Sequence, residues 1–296
     1  MSNKDYRSLI NLQPPIVSKN LDKNFNYDVT VREILNYLTQ SSSSISLSRY
    51  SVTQQRAFIR ELLTIRDVTR EQPYPSHIYD LIDQMLIYER IHMKTLTNVI
   101  DLPIQFAELP QIRVWRGDIT TLVVDAIVNA GNSGLLGCFQ PTHLCIDNVI
   151  HAAAGPRLRD DCYRIMTEQR HSEPVGLAKI TLAYNLPSKY VLHTVGPQLT
   201  PGQRVTEHLA QQLASCYKSC LDLAAEMDNI TSIAFCCIST GLFSFPAQQA
   251  CRIATTTVIN WFNKQKSKTR LSLVVFNVFN SDDEQFYINQ LKSYKE

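Results

Sequence analysis

Apolar residues in this chain follow two different rhythms. Through roughly the first hundred positions they recur at three-to-four spacing, which places them along one face of a helix. TVREILNYL carries Ile34, Leu35 and Leu38, and its Thr30 and Glu33 stand at capping-box spacing. SVTQQRAFIRELLTI repeats the device with Ser51 and Gln54 ahead of Phe58, Ile59, Leu62 and Leu63. HIYDLIDQMLIYERIHM predicts a third helix. Beyond Gln111 the rhythm changes to short runs rich in β-branched residues: IRVWRGD, VDAIVNA, KITLAYNL, YVLHTVG, SIAFCCIS and LSLVVFNVF. Such runs suit buried strands. Between them lie the helix-period segments NVIHAAAGPRLRDDCYRIM, VTEHLAQQLASCYKSCLDLAAEM and PAQQACRIATTTVINWFNKQ. SDDEQFYINQLKSY closes the chain with Ser281 and Glu284 as its capping pair.

The change of rhythm coincides with a change of composition. The nine glycines all lie at or beyond Gly117, and the eight cysteines all lie between Cys138 and Cys251. DLPIQFAELPQ, with two prolines and no helical period, marks the boundary. The chain therefore divides into a helical N-terminal extension, residues 1–110, and an alternating unit, residues 111–296. Strands alternating with helices predict an α/β fold with helices on both faces of a mixed sheet. Ligands of such sheets bind beyond the carboxyl ends of the strands. GDIT, NAGNSGLLG and STGLFSFP are the loops that follow strands in this way.

Charge narrows the partners. With 29 basic against 27 acidic residues and no single-sign block, bulk electrostatics suggests neither nucleic acid nor a membrane surface. The start, MSNKDYRS, lacks an apolar leader, and no apolar run reaches the ~18 residues of a bilayer span. A cytoplasmic chain with reduced thiols is the expectation. Cys162, Cys216, Cys220, Cys236, Cys237 and Cys251 fall at apolar positions and read as core residues. His77, His92, His151, His193 and His208 read as structural or ordinary polar positions, and His171 as a loop residue without partners.

One stretch concentrates chemistry. NSGLLGCFQPTHLCIDNVIH places Cys138, His143 and Cys145 within eight residues, with Asp147 two positions on. Pro141 favours a loop there, in which side chains two apart can converge. The set Cys-x4-His-x-Cys suits tetrahedral zinc with a fourth position left for water or substrate. A closed staple completed by a residue such as Cys162, or no metal at all, is also compatible with the spacing, though the open site is favoured. GNSGLLG and STGLFSFP can present backbone N–H groups to phosphate, or can be tight strand-to-helix turns that need glycine. Asp118 reads as a turn cap or as an acceptor for a ligand's amino group.

Taken together, GDIT, DAIVNAGN, IDNVIHAAAG, LHTVGP and ISTGLFSFP resemble, in order, the signature of the macrodomain family over roughly Gln111 to Glu296. LLGCFQPTHLC stands where common macrodomains carry a glycine run. In that it resembles the zinc-dependent macrodomains associated with macrodomain-linked sirtuins, which also carry a helical N-terminal extension.

The resemblance implies an α/β/α sandwich whose crest binds ADP-ribose. Asp118 would accept from the adenine amino group, with the Ile119 backbone beside it. Ser239, Thr240, Gly241 and Leu242 would cradle the diphosphate, and Phe243 would pack on the distal ribose. Asn132 would hydrogen-bond that ribose, Asp147 matches the active-site aspartate, and Asn280 lies near the adenine rim. The implied activity is removal of mono-ADP-ribose from protein carboxylates, with Zn2+ held by Cys138, His143 and Cys145. The implied partners are ADP-ribose, a mono-ADP-ribosylated protein and a macrodomain-linked sirtuin system. Asn132 and Asp147 are then the catalytic candidates, with Asp147 orienting or deprotonating water. The alternatives are a non-catalytic ADP-ribose reader with a structural zinc, and a thiol hydrolase using Cys138 or Cys145 with His143. Two residues depart from the common pattern: Ser244 and Asn148 both stand where glycine is usual.

Overall fold

The computed structural model describes residues 6–12, 21–39, 49–200, 202–265 and 269–294. The first five residues of MSNKDYRS lie outside these. The described helices are α1 (Tyr6–Leu9), α2 (Tyr27–Thr39), α3 (Val52–Ile65), α4 (Ser76–His92), α5 (Ile146–Ala154), α6 (Pro156–Gln169), α7 (Glu207–Ala225), α8 (Ala247–Gln265) and α9 (Ser281–Lys292). The strands are β1 (Thr97–Asn98), β2 (Ile112–Arg116), β3 (Leu122–Val123), β4 (Ala126–Gly131), β5 (Ala178–Leu182), β6 (Tyr190–Val195), β7 (Ser232–Phe235) and β8 (Leu273–Val278). β1 and β3 form a short parallel pair.

The six β-branched runs form one sheet in the order β2-β8-β7-β4-β6-β5. All neighbours are parallel except β5, which closes one edge antiparallel to β6. β6 is buried along its whole length, so its apolar residues do not alternate with exposed ones, and even His193 and Thr194 are enclosed. α8 packs against both α7 and α9, and α5 packs on α6 and β4. This is the mixed-sheet α/β architecture expected from the sequence, preceded by a helical region.

Two apolar clusters hold the molecule together. Val31, Ile34, Leu35, Ile59, Ile82 and Met85 knit α2, α3 and α4 into a small helical core. The larger core runs through the sheet and its helices, and it takes in Tyr6 and Ile10 from the start of the chain. Tyr6 Oη accepts from the backbone N–H of Ile180 on β5 at 2.9 Å, pinning α1 to the sheet edge.

Helix ends show where local signals competed. Ser51 and Gln54 form the expected capping box at α3. Thr30 does not start a helix: α2 begins a turn earlier, where Asn26 Oδ1 accepts from Val29 N at 3.1 Å, and Thr30 is buried inside it. At α9 the cap is Asn280, not Ser281, because Asn280 Oδ1 takes the Asp283 N–H at 2.7 Å. NVIHAAAGPRLRDDCYRIM is two helices and not one. Gly155 turns the chain at φ 92°, and Pro156 opens α6 at a position where its missing N–H costs nothing. A side chain at residue 155 would also press on Leu86 and Asn185, each 3.0 Å from the Cβ position.

Arginines join the helical region to the sheet unit. Arg66 pairs with Asp160 at 2.7 Å, and Arg157 reaches Asp80 and Asp83, each at 2.9 Å. Arg159 Nη1 donates to the carbonyls of Leu63, Thr64 and Arg66 at 2.9–3.0 Å, satisfying groups that the end of α3 leaves open. No helix of the described residues is long and apolar enough to cross a membrane.

Candidate active site

A cleft of about 930 Å³ opens at the carboxyl ends of the parallel strands. Gly117, Asp118 and Ile119 enter it after β2, Gly131 and Asn132 at the end of β4, Gly196 after β6, Ser239 to Phe243 after β7 and Phe279 after β8. Asp118, Ile119, Asn132, Cys138, His143, Cys145, Asp147, Ser239, Thr240, Gly241, Leu242 and Phe243 all line this one cleft. Asn280 does not line it; its side chain caps α9 instead.

At one end, Asp118 is both cap and potential acceptor. Its Oδ1 accepts from Thr120 N at 2.9 Å, while Oδ2 lies 3.4 Å from Lys94 Nζ. Burial opposes its charge, but the Thr120 hydroxyl and the Lys94 ammonium outweigh that and hold the carboxyl below its ordinary value. Phe279, 82% exposed, stands beside it, since Gly117 N donates to Val278 O at 3.0 Å.

The loop after β7 is fixed before any ligand arrives. Ser239 and Ser244 sit at φ 66° and 54°, in the left-handed region that favours glycine. Phe245 N donates to Ser239 O at 3.0 Å and Ser244 N to Gly241 O at 2.9 Å. The N–H groups of Gly241, Leu242 and Phe243 have no intramolecular acceptor among the described residues, and Ser239 Oγ is buried without a partner. Gly196 permits this approach, because a Cβ there would lie 2.0 Å from Ser239 Oγ. Ser244 therefore adopts glycine's conformation although it is not glycine.

At the other end, the thiols and imidazole converge. One ligand atom each from Cys138, His143 and Cys145 lies within 4.8 Å of the others, with Cys138 Sγ 3.4 Å from His143 Nδ1. All three are half-buried. Burial pushes the Cys145 thiol up to about 11, against the Asn148 N–H that it accepts, and Cys138 and Asp147 push the same way. Two sulfurs and an imidazole at this separation form a donor set that suits a soft divalent ion.

Asp147, 5% exposed, follows on α5. Burial pushes its carboxyl up to about 6, against the Asn129 amide and the Arg159 guanidinium. Asn129 Nδ2 donates to Asp147 Oδ1 at 2.8 Å and lies 3.2 Å from His193 Nδ1. His193 Nδ1 is thereby the acceptor, which leaves the proton on Nε2, facing Thr181 Oγ1 at 3.0 Å. The Asn132 carboxamide holds its own loop, donating to Gly137 O at 3.0 Å and accepting from Gly134 N at 2.9 Å.

Several cleft residues were missed in the sequence. Phe139, Leu144 and Phe279 are large apolar side chains left exposed at the cleft, and an aromatic at the end of a strand run was the available signal for Phe279. Cys236 and Cys237, read as core, line the cleft floor, and Cys237 is only partly buried. Cys162, Cys216, Cys220 and Cys251 are buried as expected.

A sheet with one deep cleft across its strand ends, a rigid glycine-and-serine loop and a free run of backbone N–H groups defines a ligand-binding α/β protein of the phosphate-cradling class. The chain belongs to the macro domain family, whose model matches residues 128–254. It is 49% identical over 241 residues to a protein-ADP-ribose hydrolase of Treponema medium, covering 81% of this chain and 88% of that one. It is 52% identical over 178 residues to a protein-ADP-ribose hydrolase of Staphylococcus aureus strain MRSA252, covering 60% of this chain and 64% of that one. Among solved structures it resembles a Trypanosoma brucei macrodomain in complex with ADP-ribose, at 28% identity and a TM-score of 0.55, over 88% of this chain and 94% of that one.

Proposed function

We propose that this protein is a zinc-dependent hydrolase that removes mono-ADP-ribose from modified acidic side chains of proteins. One observation carries the reading: Cys138, His143 and Cys145 converge on a nucleotide-sized cleft directly beside Asn132 and Asp147. Relatives named protein-ADP-ribose hydrolase, at about half identity, support the same activity.

Each part of the cleft has a role in that reaction. Asp118 accepts from the adenine amino group, next to the Ile119 backbone, and Phe279 offers the ring a face to stack on. The free N–H groups at Gly241, Leu242 and Phe243, with Ser239 and Thr240, hold the diphosphate. Phe243 and Asn132 place the distal ribose. A Zn2+ on Cys138, His143 and Cys145 would supply Lewis acidity at the ribosyl ester, tempered by the charge of two thiolates. Asp147, with a carboxyl near 6 and oriented by Asn129, orients water and accepts its proton. Water is consumed, and a free side-chain carboxylate and ADP-ribose are released.

α3 of the helical extension belongs to the same working unit because Arg159 ties it to the loop bearing Phe139, over whose ring its guanidinium lies at 4.8 Å. Reduced thiols throughout support a cytoplasmic setting, and the resemblance to the sirtuin-associated type extends the proposal to a linked sirtuin as partner.

Metal content of the purified chain, measured with ADP-ribose release from a mono-ADP-ribosylated acidic protein, tests this. Near-stoichiometric zinc, and activity that is lost on chelation and restored by Zn2+, is the expected result. Full turnover in metal-free protein would remove zinc from the reaction, and ADP-ribose binding without turnover would make the chain a reader.

A further inference from the structure

The residues from Cys138 to Cys145 contain no helix or strand, yet they bring three ligands to one point. Fixing an irregular segment costs about 1–2 kcal/mol per residue in backbone entropy, so something must offset it. Inside the segment the backbone supplies one bond, His143 N to Gln140 O at 3.1 Å. Gln140 O takes that bond, and no backbone bond inside the segment reaches His143 O.

Asn148 meets both. Its Nδ2 donates to Gln140 O at 3.0 Å and to His143 O at 2.9 Å. Its own backbone N–H reaches Cys145 Sγ at 3.4 Å, where Cys145 caps α5. One residue, 1% exposed, thus grips the loop before His143, at His143 and at Cys145. A carboxamide has two N–H donors, and both are used on the loop. Its neutral charge also matters, because a carboxylate in its place would face two carbonyl oxygens.

We infer that Asn148 is the positioning residue that assembles the ligand triad, holding His143 and Cys145 in place before metal arrives. The inference rests on the zinc reading above and deepens it. Asn148 stands where the resemblance expects glycine, and the structure gives the replacement a purpose: the loop and Asn148 form a matched pair. Glycine would leave the His143 carbonyl without its donor, the Gln140 carbonyl with the His143 N–H alone, and the loop without its closing bonds. Residues that orient metal ligands from behind typically govern affinity by about 10–100-fold.

Two measurements on the full chain test this. Zn2+ affinity by chelator competition is expected to fall about 10–100-fold in both Asn148→Gly and Asn148→Asp. The aspartate has the volume of asparagine without its donors, so a role in packing alone would spare it. In metal-free protein, hydrogen exchange across residues 138–145 is expected to speed up in both variants, while the central strand β4 keeps its protection. Wild-type zinc affinity and loop exchange in both variants would overturn the inference. Faster exchange in the variants of a chain that binds no Zn2+ would uphold the clamp and overturn the zinc reading instead.

Discussion

Two clusters of cysteine and histidine flank α5, and they differ in what surrounds them. Cys138, His143 and Cys145 form one; His151, Cys162 and His193 form the other, with ligand atoms equally close, within 4.8 Å. The first is half-buried on the cleft. The second is wholly buried, and its members already have assigned states. His193 accepts from Asn129 through Nδ1, so its Nε2 carries a proton and is closed to a metal. Burial holds His193 down to about 3 and raises the Cys162 thiol well above its ordinary value, and none of the three residues lines the cleft. His151 lies 3.4 Å from Asp147 Oδ1 without a hydrogen bond to either ring nitrogen. Proximity of ligand atoms does not make a metal centre; the proton inventory of their neighbours decides.

Substitutions separate the two clusters most sharply at the open one. Cys145→Ala is expected to abolish Zn2+ binding and to cut ADP-ribose release by more than about 100-fold, with the circular dichroism of the fold retained. A variant that keeps its zinc would erase the distinction. The closed cluster should respond in stability and not in metal. His193→Ala strands Asn129 and Thr181 in the core, and a loss of about 3 kcal/mol by denaturant unfolding is expected, with zinc content unchanged.

Next in size is a pH effect beside the closed cluster. Burial raises the Asp161 carboxyl to about 6, although the Tyr184 hydroxyl donates to it. The folded chain therefore binds this proton more tightly than the unfolded chain does. The resulting stability is full below about pH 4 and is lost as pH rises through about 6, amounting to roughly 2 kcal/mol. Asp161→Asn should keep that stability at pH 8, so that its melting temperature exceeds the wild type's there but not at pH 4. Smallest is Cys162→Ala, at about 1 kcal/mol for the lost sulfur, again with zinc unchanged.

The sequence carried much of the fold because its signals were local. Six β-branched runs became six strands, and Ser51 with Gln54 capped α3 as their spacing required. Failures arose where two local signals overlapped. Asn26 outcompeted Thr30, Asn280 outcompeted Ser281, and the Gly155-Pro156 pair divided what the apolar period read as one helix. The cleft was legible from loop motifs, because ligands gather at strand ends. Asn148 was legible only as a departure. Its partners are backbone carbonyls, which have no letter in a sequence.

Arg159 has a consequence for modularity. Its guanidinium is 5% exposed and leans on three carbonyls that residues 63–66 supply. A fragment starting at Gln111 would keep the whole cleft yet leave that cation facing solvent on one side and Phe139 on the other. The catalytic half is thus not freely portable: it borrows the acceptors of a buried cation from the preceding helices, and transplanting it into another protein would require carrying the end of α3 along.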